Sequence, residues 1–449
     1  MEQCISMGVF FSSIVGASLF GISLNKIAIL PMEVCLLCKV FLSRKSKVSL
    51  NRYKKHLLFW YLIAVISTVT GTIFTLKNTF QYVDEIISKE ILLAIQILFI
   101  YIPVMLLLPE KIKNKDTIDV IKKALITTGH VQAIWAFLQF VLYVTIQFDL
   151  NAWLFDGILA PIMRSKGITW TRFNNIAGII LIRPTGLNKD AAFLALILVV
   201  CFIFEKSNIW RGFYLLILIL SISRSGLFTV MIYLIYKSFV KIKQRKKFKQ
   251  NSIARNCFLV MIGISLFIFA YLRFPSVAAQ MNRMIERISF ISTGKDGTGK
   301  HTSYPIESIR VLFNMPWYNI LLGIGVTISG VAFNAYQGII KAFTLTYSQY
   351  SQVWAIECDF ATVLIGTGII GSFVYYSFYV KTFFKSKSEQ IKEQALCMMI
   401  FGLMYNICGL TFVQFILWML ALSFARNKSE GNINGLETIR TIDRGKNGY

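Results

Sequence analysis

The chain predicts an all-α polytopic membrane protein with about twelve transmembrane helices and a large extracytoplasmic loop. Three observations carry that reading. Of the 449 residues, 55% are hydrophobic and only 15% are charged. The apolar residues come in long continuous runs, whereas a membrane β-barrel would show short alternating segments. The basic residues gather in short loops that fall on one side when the runs are counted as crossings.

The runs are 7–24, 27–42, 57–76, 91–109, 124–148, 188–204, 210–222, 225–240, 257–273, 359–380, 395–409 and 411–425. The first has no basic region before it and no Ala-x-Ala site after it, so it reads as a span rather than a cleaved signal. The pair 210–222 and 225–240 is short, which fits tilted or re-entrant segments as well as full crossings. Segment 43–56 holds six lysines or arginines, 110–123 five, 241–256 seven and 381–394 four. An N-terminus in the cytoplasm puts all four there, together with the polar tail 426–449. Two outer segments remain, 149–187 and 274–358, and outer loops that long usually carry function. No internal repeat is visible, and the whole chain reads as a single membrane domain.

The net charge of +25 would suggest nucleic acid in a soluble protein. Here it lies in loops facing anionic lipid heads, and no aromatic-basic nucleic-acid module accompanies it. Nucleic acid is therefore excluded as a partner, and membrane lipids are expected. Cys35 and Cys38 have metal-ligand spacing, but no second pair and no nearby histidine joins them. No dense Asp/Glu/His set occurs, so neither metal nor cofactor is expected.

The arginines off the basic side carry the functional signal. Arg164, Arg172, Arg183, Arg224 and Arg310 lie in outer segments or at span ends facing them. An arginine near membrane depth costs about 2.5–3.5 kcal/mol on insertion scales, so several together point to a bound anion. Arg183 opens Arg183-Pro-Thr-Gly-Leu-Asn188, where Pro184 and Gly186 suit a tight turn and Asn188 a helix cap. A helix N-terminus there adds partial positive charge for a phosphate. Arg224 lies in Ser221-Ile-Ser-Arg224-Ser-Gly226 between two apolar runs, with serines able to donate to phosphate oxygens. The bland alternatives are a snorkelling arginine and a simple turn. Arg310 has Glu307 one helical turn back, so a salt bridge is an alternative. Glu357 and Asp359 stand at the start of a span, where they suit the helix dipole or a general base. His301 is the histidine farthest from the spans and is a further acid-base candidate. Gly294–His301 nearly matches a phosphate-binding loop, but has histidine where serine or threonine should bind magnesium. Trp153, Trp170, Tyr304 and Trp317 could stack on sugar rings or anchor at the interface.

Taken in order, Arg183-Pro-Thr-Gly-Leu, Ser221-Ile-Ser-Arg-Ser-Gly, Gly323-Ile-Gly and Glu357-Cys-Asp359 leading to Gly368-Ile-Ile-Gly371 resemble the O-antigen polymerase and ligase superfamily. The resemblance covers roughly 180–375. It implies a GT-C-like membrane glycosyltransferase of the bacterial inner membrane with an outward-facing site. Its substrates would be undecaprenyl-diphosphate-linked glycans, and a chain-length regulator would be a partner. Arg183, Arg224, Arg310, Arg172 and Arg164 would bind the diphosphate, with Glu357, Asp359 and His301 as the catalytic candidates. Ligases of the superfamily rely on a histidine in the large outer loop. The context of His301 does not match theirs, and the Glu357-x-Asp359 start resembles the polymerase branch. A transporter of the same lipid-linked glycan is the reading from another class.

Overall fold

The computed structural model describes residues 1–19, 22–42, 50–77, 83–112, 114–161, 170, 172–176, 179–244, 300–337, 356 and 358–424. The expected span 257–273 and the tail 426–449 lie outside the described residues. So do Arg164, Glu357 and the glycine-lysine stretch 294–299.

The described chain is helical almost throughout. The helices are α1 (Glu2–Ser12), α2 (Leu24–Ile27), α3 (Leu30–Leu42), α4 (Arg52–Lys77), α5 (Val83–Gln96), α6 (Ile102–Leu107) and α7 (Thr117–Ile146). They continue with α8 (Ala191–Phe204), α9 (Asn208–Leu220), α10 (Arg224–Gln244), α11 (Lys300–Phe313), α12 (Trp317–Leu322) and α13 (Ser329–Gln337). The last three are α14 (Asp359–Lys385), α15 (Glu389–Met404) and α16 (Thr411–Phe424). A π-helical turn, Ile97–Tyr101, joins α5 to α6 just before Pro103, whose ring cannot donate to the ladder.

Among the described residues, Arg52–Lys77, Ile87–Leu107, Thr117–Ile146 and Asp359–Lys385 are long and apolar enough to cross a membrane. At 1.5 Å per residue each exceeds a hydrocarbon core of about 30 Å. On α4, Phe59, Leu62, Ile66, Val69, Ile73 and Leu76 are exposed at alternating three- and four-residue steps. That stripe is a lipid-facing surface, while Ser67, Thr70, Gly71 and Thr75 face inward. α8 sits at the centre with all its side chains buried. It spans about 21 Å by helix geometry, so its neighbours α7, α9, α10 and α15 shield it from lipid.

The helix ends sort into two groups. At one end, Asn51 donates to Ala421 O (2.9 Å), Lys54 donates to Leu108 O (2.8 Å), and Lys237 pairs with Glu393 (3.0 Å). The described parts of the lysine-rich segments 43–56, 110–123 and 381–394 belong to this basic end. At the opposite end, Val15 N donates to Asn188 (2.8 Å), the Phe193 and Tyr405 rings meet, and Asp359 accepts from Cys408 N (2.6 Å). The arginine motifs lie there.

The structure corrects several sequence expectations. Segment 149–187 is not simply a loop, because Arg172–Ile176 (β1) and Ile179–Arg183 (β2) pair antiparallel with Arg172 opposite Arg183. Its isoleucines and Phe173 are β-formers. The cap of α8 is Asp190, which accepts from Ala192 N (2.9 Å), and not Asn188. The run 395–409 is helical only to Met404, and α9 and α10 are separate helices joined by a turn.

A non-helical crossing lies between α12 and α13. Ile324 N donates to Ile365 O (3.1 Å) and Gly325 N to Gly366 O (2.8 Å), while Thr70 donates to Gly323 O (2.6 Å). α14 opens to accept this segment by kinking at Gly368, whose φ of 65° a side chain would resist. α4 allows the approach through Gly71, where a Cβ would overlap the Ile324 carbonyl. The Gly71→Val variant should therefore lose about 1–3 kcal/mol or more through forced backbone displacement. Thermal unfolding in detergent checks this, with Gly8→Ala, whose nearest contact is a ring edge at 3.1 Å, as the milder comparison.

Candidate functional site

Arg183 ends β2 and leads into a turn held by amide side chains. Gln139 accepts from Thr185 N (3.0 Å) and Gln132 from Leu187 N (2.8 Å). Asn151 donates to Gly186 O (2.9 Å) and to the Thr185 hydroxyl (3.1 Å). Asn188 accepts from Val15 N, and Lys189 N donates to Val15 O (3.0 Å). These bonds pair the backbone of the turn with side-chain amides and hold it in one conformation, while the Gln139 Nε2 stays buried without a partner.

The Arg183 Nε donates to the carbonyl of Ser221 (2.8 Å). That one bond joins the Arg183 motif to the turn that carries Arg224. Ser221 closes α9, Ile222 follows with φ of 49°, and Arg224 is the first residue of α10. A β-branched residue in the left-handed region costs on the order of 1–3 kcal/mol and needs surrounding structure to hold it. The Arg183 bond to Ser221 O is part of that support. Arg224 is exposed, Arg183 half-buried, and the positive end of α10 falls within the Ser221–Gly226 motif. Lys189 adds a cation on the same turn, its ammonium 5.9 Å from the Phe193 ring.

The serines do not serve as expected. Ser221 is buried and donates to Leu218 O (3.0 Å), and Ser223 and Ser225 face each other at 3.4 Å. These contacts hold the turn. Arg310 is exposed on α11, a helix that packs chiefly on α14. Arg172 is placed opposite Arg183 by the strand register. His301 lies in the first turn of α11.

Asp359 is buried at the start of α14, and its Oδ1 accepts from both Ile407 N (3.2 Å) and Cys408 N (2.6 Å). It fastens the 405–410 turn to α14. That engagement fits a structural clamp better than a free base. Trp170 is fully buried against Phe155 (3.8 Å between ring centres), so its ring is closed to a sugar. Tyr304 packs edge-on against Phe333, while Trp153 and Trp317 are exposed.

Sequence reasoning missed Gln132, Gln139, Asn151 and Glu90. Glu90 is buried on α5, where it accepts from the Thr327 hydroxyl and abuts Gly325. Glu90 stands beside Lys89 just before the run 91–109, and nothing in that local sequence sets it apart. Two glutamines seven residues apart on one helix face were the signal for the amide cradle.

No family model matches the chain, and no curated protein matches it.

The cradle makes a specific prediction. Gln132→Leu leaves the Leu187 N–H without its partner, which should destabilise the fold by about 1–3 kcal/mol. A thermal melt reads this directly, and Gln132→Glu, which keeps the acceptor, should lose less.

Proposed function

We propose that this protein polymerises undecaprenyl-diphosphate-linked oligosaccharide repeat units into a surface polysaccharide, an O-antigen or capsule. In this reading it is a twelve-span, GT-C-like glycosyltransferase of the bacterial inner membrane, with its arginine-bearing end outward. The supporting observation is the bond from Arg183 to Ser221 O, which unites two distant arginine motifs on one rigid turn. A guanidinium pair beside a helix N-terminus matches the charge and hydrogen-bonding needs of a diphosphate.

The reaction is an inverting glycosyl transfer. The acceptor hydroxyl attacks the anomeric carbon of the donor glycan, and the bond from that carbon to the diphosphate oxygen breaks. The diphosphate leaves with the electron pair, and Glu357 takes the proton of the acceptor hydroxyl. Arg183 and Arg224 offset the charge that grows on the leaving group, which is where preformed donors contribute most. In this reading Arg310, Arg172 and Arg164 also bind the diphosphate. The Glu357-x-Asp359 start and the context of His301, which does not match that of the ligases, favour a polymerase over a ligase.

The non-helical crossing at Gly323–Ile328 favours a second reading, a transporter of the same lipid-linked glycan. Broken helices with backbone lining a cavity are common in transporters. A strain lacking the protein separates the two. Lost transport leaves lipid-linked repeats inside the cell, whereas lost polymerisation leaves single repeats outside.

Complementing a deletion strain tests the enzyme directly. Wild-type protein restores a polysaccharide ladder on a gel, while Arg183→Ala and Arg224→Ala each cut polymer yield by roughly 10²–10³-fold, as removal of a transition-state donor does. An unchanged ladder from both variants would rule out the proposed mechanism.

A further inference from the structure

A cavity of about 390 Å³ opens at the arginine-bearing end, away from the Arg183–Ser221 junction. Its walls are α4, α5, the non-helical crossing and the 405–410 turn. Lys26, Lys89, Thr327 and Asn406 are among its lining residues. Glu90 stands behind Thr327, already engaged by that hydroxyl and packed against Gly325. Burial pushes the Lys26 ammonium below its ordinary range, the condition of a cation partly withdrawn from water.

Most of the remaining lining is apolar, although Gln96, Gln414 and Tyr61 also belong to it. Leu92 and Leu93 follow Lys89 down α5, and Ile97 and Tyr101 continue that wall in the π-helical turn. From Lys89 to Tyr101 the helix descends about 18 Å, so the lysine marks a rim and the tyrosine the depth. The cavity also opens sideways. Leu92 lines it while remaining 49% exposed, and its neighbours Ile91, Ile95 and Phe99 belong to the exposed apolar face of the same helix. Cationic rim, apolar depth and lateral mouth together match a molecule with a charged head and a slender hydrocarbon chain.

We propose that this cavity binds the phosphate head and first chain segment of a phosphate-bearing lipid, as a second lipid site beside the arginine pair. Lys26 and Lys89 neutralise the phosphate, and the wall from Leu92 to Tyr101 receives the chain. The inference rests on the polymerase reading, because polymerisation needs a donor and an acceptor lipid held together. The arginine pair then takes one diphosphate and the cavity the other.

Native mass spectrometry of the full chain in zwitterionic detergent tests this, with farnesyl diphosphate as the probe. Wild-type protein should bind two molecules. Lys26→Gln/Lys89→Gln should weaken one site at least tenfold and leave the other, while Lys26→Arg/Lys89→Arg retains both. Leu93→Trp, which fills the apolar depth, should also remove one site. Inorganic diphosphate should bind at least tenfold more weakly than the prenyl compound, since it lacks the chain. Two molecules still bound by the glutamine variant at wild-type affinity overturns the cavity site. Equal binding of inorganic diphosphate overturns its assignment to lipid and makes it a site for free phosphate. Loss of nothing in Arg183→Gln/Arg224→Gln, with loss of one site in the lysine variant, sinks the arginine reading and leaves the cavity standing.

Discussion

Backbone polar groups cannot be left unpaired at membrane depth, and the arginine-bearing end of this protein is built around that constraint. The segment after α12 leaves helical geometry where it packs against α4 and α14. Its donors go to the carbonyls of Ile365 and Gly366, and Gly323 O receives the Thr70 hydroxyl. The kink at Gly368 and the bare surface of Gly71 make room for this exchange. α4, α5 and α14 are thereby fixed around one irregular strand of chain, and the cavity lined by Lys26 and Lys89 is its consequence.

The same logic holds the arginines. Arg183 follows a hairpin strand, and the turn after it has backbone groups that no helix satisfies. Gln132 and Gln139 reach out of α7 to accept them, and Asn151 donates to the carbonyl between. The amides make the turn rigid, and rigidity lets one guanidinium hold the Ser221 carbonyl while Ile222 stays in a left-handed conformation. Preorganised cations stabilise developing charge without rearranging, which is what a diphosphate leaving group requires.

The helical membrane class was legible because it depends on run length and sidedness, both of which are one-dimensional. The meeting of the Arg183 and Ser221–Gly226 motifs was anticipated only through their shared side, since the bond that joins them spans 38 residues. The hairpin Arg172–Arg183 was missed because the whole segment 149–187 was read as an outer loop, and its two five-residue strands are too short to stand out by hydropathy. Asp359 looked like a general base from its position, yet two backbone N–H groups from a turn 48 and 49 residues onward claim its oxygen. Tertiary partners of this kind leave no local trace. The paired glutamines of α7 did leave one, as polar residues seven apart on one face of an apolar helix.

The central claim is that Arg183 and Arg224 act as one unit on the diphosphate. A double-mutant cycle on the initial polymerisation rate of purified protein, supplied with lipid-linked repeat units, tests it most directly. Residues that hold one group together are strongly non-additive. The account predicts that the double alanine variant is hardly slower than either single variant. Effects that multiply, or a single variant at wild-type rate, would contradict it.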